Sequence, residues 1–126
     1  MPRLDVRPEL ITIRLALLDR IVALRGDVRV RRDAIHAVEA VADAMRVAED
    51  QVGRRRLDQA RPLGPLGLPP VGIPGLLLAG DVGGETFAVT YRGMPGVVLQ
   101  TRDPRFRRIV LSLVDPDRAV AQLAAS

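Results

Sequence analysis

The chain of 126 residues carries 19 basic side chains, all of them arginine, against 15 acidic ones, with one histidine and no cysteine. Without cysteine, disulfides, thiolate metal sites and thiol nucleophiles are excluded, and the net charge of +4 is small beside that of nucleic-acid binders, which concentrate basic charge on one face. The length fits one domain with an aliphatic core, since Phe87, Phe106 and Tyr91 are the only aromatic residues. No apolar run approaches the roughly 20 residues of a membrane span and the N-terminus lacks a signal-like apolar stretch, so a cytoplasmic protein is expected.

Residues 1–8 read as an N-terminal tail and 9–126 as a single domain. Over residues 9–16, Leu10, Thr12 and Arg14 alternate with Ile11, Ile13 and Leu15, which predicts a first strand with Arg14 pointing outward. Apolar residues then recur at helical spacing over 17–24, and Arg25 and Gly26 end that short helix. A second strand is expected over 27–31, with Val28 and Val30 inward and Arg29 and Arg31 on a solvated face. A third follows over about 35–42, with Val38 and Ala40 inward.

Residues 43–74 form a long loop rich in Pro, Gly and Arg. Its start, 43–52, has helix-forming character, but Gly53 and the run Arg54, Arg55, Arg56 follow, and then a density of prolines and glycines that forbids regular structure. Loops of this length are binding elements or disordered segments.

The centre of the chain is a hairpin, with strands over 76–79 and 86–91 joined through Gly80, Gly83 and Gly84. Phe87, Val89 and Tyr91 alternate with Thr86, Ala88 and Thr90, giving the second strand one face of large side chains. A turn at 92–95 leads to a strand over 96–101. Asp103 before Pro104 predicts a capped helical turn through Phe106, and 107–114 is the most apolar strand. Asp115 and Pro116 open a closing helix whose apolar face is Ala119, Val120, Leu123 and Ala124.

This order resembles a bacterial pleckstrin-homology-like family. The resemblance rests on Asp27-Val28-Arg29-Val30 with Ile35 and Val38, on Gly72-Ile73-Pro74-Gly75, on Phe106 ahead of Ile109-Val110-Leu111-Ser112, and on Asp115-Pro116. It implies a mainly β fold, PH-like, with seven antiparallel strands in two sheets forming a partly open barrel capped by one C-terminal α-helix. Arg14 with Arg29 and Arg31 also resembles the eukaryotic phosphoinositide pattern of one basic residue on the first strand and a basic pair on the second. A helix-like insert and the absence of Lys separate this chain from it.

No catalytic set emerges. His36 stands alone and reads as a surface residue, and Ser112 and Ser126 are the only serines, neither in a nucleophile elbow. Gly80 to Glu85 lacks both the ending of a phosphate loop and the oxygens calcium needs, so a turn explains it. A non-enzymatic module without metal or cofactor is expected. Its candidate contacts for an anionic ligand or partner are Arg14, Arg29, Arg31, Arg54, Arg55 and Arg56. The preferred reading is a protein-binding or self-associating scaffold domain. The alternative is a peripheral membrane module in which the arginine face meets anionic headgroups and Leu63, Leu66 and Leu68 insert. Nucleic acid is not the expected partner, because three aromatic residues are too few to provide stacking platforms.

Overall fold

A computed structural model describes residues 2–16, 27–50, 72–73, 77–83 and 86–124. The expected helix over 17–24, the arginine run at 54–56 and the Pro/Gly-rich part of the long loop lie outside these residues. Two sheets are present. The smaller has the order β1-β2-β3, from Arg3–Val6, Leu10–Arg14 and Val28–Arg31. The larger has the order β4-β8-β9-β7-β6-β5, from Ile35–Val41, Gly96–Thr101, Arg108–Ser112, Thr86–Tyr91, Leu77–Gly83 and Gly72–Ile73. Residues 44–50 are helical (α1), and Pro116–Ala124 forms the closing helix α2.

The fold is therefore mainly β with a C-terminal helix, but it departs from the expected barrel of seven antiparallel strands. Nine strands occur among the described residues, no strand pairing joins the two sheets, and β7 runs parallel to β9, with Thr86 opposite Arg108 and Val89 opposite Leu111. Strand β9 thus lies between β8 and β7, its neighbours in the sheet. The apolar content of β9 has this cause. Ile109, Val110 and Leu111 are all fully buried because both faces of a central strand are covered.

Alternation explains which residues cover each face. Ile11, Ile13, Val28 and Val30 of the small sheet meet Leu77, Phe87, Val89, Val97, Leu99, Ile109 and Leu111 of the large one, forming the main core. Phe106 stacks at its end, with its ring 5.3 Å from that of Phe87. On the reverse of the large sheet, Leu78, Ala88, Val98 and Val110 pack against Ala44, Met45 and Ala48 of α1. The second face of β7 is thus buried too, where the sequence predicted only one. Gly96 lets α1 come close: a Cβ there would collide with the Leu111 carbonyl and lie 2.8 Å from Ala44 Cβ.

Helix α2 packs against β4, β8 and β1, so it closes one side of the gap between the sheets. Asp115 caps it, accepting a hydrogen bond from the Arg118 amide at 3.2 Å. Ala119 and Leu123 are buried, whereas Ala124, expected inward, is exposed. At the other end of the helix the Arg32 guanidinium donates from Nη2 to the carbonyls of Gln122 at 2.9 Å and Leu123 at 3.5 Å, and from Nη1 to that of Arg7 at 3.2 Å. A cation here meets carbonyls that the helix itself leaves unpaired.

Four local expectations are corrected. The supposed tail contains β1, because Leu4 and Val6 alternate with Arg3 and Asp5 and pack on the core. Gly80 lies within β6 with φ of 112°, next to a register shift between Asp81 and Gly83, so it bends a strand instead of turning the hairpin. Ala40 is exposed, and the inward residues of β4 are Ile35 and Val38, separated by a register shift between Ile35 and Ala37. Asp103 caps a turn and no helix: its carbonyl accepts from the Phe106 amide at 3.2 Å and its carboxylate from the Arg105 amide at 2.8 Å.

Candidate functional site

Register gathers the expected arginines of the small sheet onto one surface. Arg3 lies opposite Arg14, Asp5 opposite Thr12, Thr12 opposite Arg29, and Leu10 opposite Arg31. Opposed residues of an antiparallel pair share a face. Arg3, Arg14, Arg29 and Arg31 consequently project from the side away from the core, and all four are exposed. From the Leu10–Arg31 pair to Arg14, this arginine surface spans about 14 Å along the strands at roughly 3.4 Å per residue.

Acidic neighbours modulate it unevenly. Arg14 reaches Asp5 at 3.1 Å and approaches Asp27 at 4.0 Å. The hydrogen bond from Arg14, helped by the charges of Arg7 and Arg14, holds the Asp5 carboxyl below the usual carboxylate value despite its partial desolvation. Arg31 pairs with Asp33 at 2.8 Å, but both side chains stand well out in solvent, where such a pair is worth little and exchanges readily. Arg3 and Arg29 have no carboxylate partner among the described residues. The face is therefore positive at its β3 side and partly compensated around Arg14.

Two residues of this surface were missed from the sequence. Arg3 was hidden in the supposed tail, although the alternation of Arg3-Leu4-Asp5-Val6 carries a strand signal. Arg105 belongs to the β8–β9 connection, yet its Nη2 donates to the Arg29 carbonyl at 2.8 Å, tying this connection to edge strand β3. Asp103 holds Arg105 in place through contacts of 3.1 Å to Nε and 2.8 Å to Nη2. The same bond keeps the Asp103 carboxyl below its ordinary value and the Arg105 guanidinium above its own. Thr101 braces this connection from beneath, accepting from the Asp103 amide at 3.0 Å and donating to the Phe106 carbonyl. Position 105 is thus rigidly presented beside the arginine face.

His36 is exposed on β4, as expected of a surface residue. Among the described residues no group of three or more His, Asp or Glu side chains could hold a metal ion, and no helix is long and apolar enough to cross a membrane. Comparison with known protein families, with characterised proteins and with solved structures finds no match to this chain.

Proposed function

We propose that this chain is a non-enzymatic binding module of pleckstrin-homology-like character whose arginine face takes an acidic segment of a protein partner. The observation that supports the reading is the register of the small sheet, which sets Arg14, Arg29 and Arg31 on one exposed face with Arg3 and Arg105 beside them. Alternate residues of an extended peptide repeat every ~6.8 Å, the same interval as alternate residues of β2 and β3. Carboxylates at every second position of such a peptide would therefore meet successive guanidinium groups, and arginine favours planar, two-point contact with carboxylates. The layered sheets and terminal helix agree with the family resemblance, and the parallel β7–β9 pair departs from it.

The test is a fluorescence-anisotropy titration of the chain with a labelled peptide of alternating Glu and Ser, at low and physiological salt. Binding that weakens with salt and is lost in the Arg29→Glu, Arg31→Glu variant is the expected result. If the peptide does not bind while vesicles rich in phosphatidylserine co-sediment with the wild type and not with the variant, the membrane alternative replaces this one. Each basic side chain near an anionic bilayer contributes only about 1 kcal/mol, so that outcome would require the whole face.

A further inference from the structure

The reverse of the large sheet, the face turned away from the small sheet, carries a second basic feature that shares no residue with the arginine face. Across β7, β9 and β8, Thr86 lies opposite Arg108 and Arg108 opposite Gln100, so these three side chains stand in one row on the reverse of the sheet, ~4.8 Å apart. Beyond the part of that face covered by α1, the row lines a cleft of about 330 Å³ together with His36, Thr101 and Arg107. The register shift between Ile35 and Ala37 leaves His36 as the extra residue of β4, and such a bulge re-aims a side chain, here over the end of the row.

The lining is chemically one-sided. It offers guanidinium, amide, hydroxyl and imidazole donors, and no carboxylate among the described residues. Thr86, Gln100 and Arg108 are half-buried, and among the described residues none of their side chains makes a hydrogen bond or ion pair. A guanidinium withdrawn partly from water without a protein acceptor is unfavourable, and an oxyanion in the cleft would supply the missing acceptors. The volume lies at the lower end of small-ligand sites, roughly 300–1,000 Å³, which suits a compact anion and a few further atoms.

We propose that this cleft binds a phosphoryl oxyanion, as free phosphate or as the phosphomonoester of a small metabolite. Arg108 makes the two-point contact, Gln100 and Thr86 donate from either side, and His36 closes the rim. No bond is made or broken, and the site is independent of the arginine face.

The experiment is an amide-resolved NMR titration of the whole chain with inorganic phosphate and, separately, with glycerol 3-phosphate, at ionic strength held constant with sodium chloride. Expected are saturable shifts confined to residues 36, 86, 100, 101, 107 and 108, and an affinity at least tenfold lower in Arg108→Gln. Tighter binding of glycerol 3-phosphate assigns the ester, and equal binding assigns the free anion. If Arg108→Gln loses its dispersed spectrum, Arg108→Lys keeps the charge without the planar fork and must still weaken binding. Absence of saturation with both probes, shifts spread equally over Arg29 and Arg31, or undiminished binding in the folded Arg108 variant would overturn the assignment.

Discussion

Arg32 shows how one side chain joins parts of the chain far apart in sequence. It stands in the turn Arg32–Ala34 and binds carbonyls of Arg7, Gln122 and Leu123. Its Nε is buried without a partner, so the hydrogen bonds made by the two Nη atoms offset a real desolvation penalty. Arg32→Ala should cost about 1.5–3 kcal/mol, the range for hydrogen bonds to charged groups, and hydrogen exchange should show the last turn of α2 losing protection first. Gly96 is the steric counterpart. Its substitution by Ala meets backbone on one side and the α1 side chain of Ala44 on the other. Neither can yield cheaply, and a loss of about 3 kcal/mol, read as a fall in Tm, is expected. Neither role was legible in the sequence. Arg32 is one arginine among 19, and Gly96 reads only as the first residue of a strand, because both roles depend on neighbours distant in the chain.

At the scale of elements, local pattern worked where a strand buries one face and failed where both faces are covered or a bulge intervenes. The alternation in β2 and β3 placed Arg14, Arg29 and Arg31 outward, and the structure agrees. In β4 the register shift between Ile35 and Ala37 brings Ile35 and Val38, three residues apart, onto the same core face, a displacement that no periodicity announces. The Asp-Pro pairs teach the same lesson. Asp115 precedes a segment with apolar residues at helical spacing and starts α2, while Asp103 precedes Phe106, whose ring is claimed by Phe87, and ends in a turn. That turn gives a pH prediction. Asp103 has its carboxyl pKa depressed by Arg105, so its contribution is fully present above the unfolded value near 4 and is lost as pH falls through the lower folded value. The stability gap between wild type and Asp103→Asn, followed by denaturant melts, should therefore be constant at neutral pH and shrink below about pH 4.

For the whole molecule, the two sheets cohere through side chains, since no strand pairing links them among the described residues. Polar ties around that core come from the β8–β9 connection, through Arg105, from the turn before β4, through the Arg102 amide and the Ala34 carbonyl at 2.7 Å, and from Arg32, through the carbonyls of Arg7, Gln122 and Leu123. Ile11→Ala, at the contact between the layers, should cost about 2–5 kcal/mol. Calorimetry should still record a single transition, because both sheets share one core; two resolved transitions would show that each layer melts alone. The class of the fold, mainly β with a closing helix, could be read from the chain, but the sheet order could not. Nothing in the spacing of β7, β8 and β9 reveals that the third slots between the first two.

That order has a consequence for synthesis on the ribosome. When the chain has emerged only as far as Thr101, β7 can pair with β6 and β8 with β4, but the two pairs have no hydrogen bonds to each other. Arg108–Ser112 supplies the missing middle and joins them on both edges. Until residues 108–112 leave the exit tunnel, two strand edges stay open to any neighbouring polypeptide, so the nascent chain is most exposed to misassembly in the interval before β9 emerges.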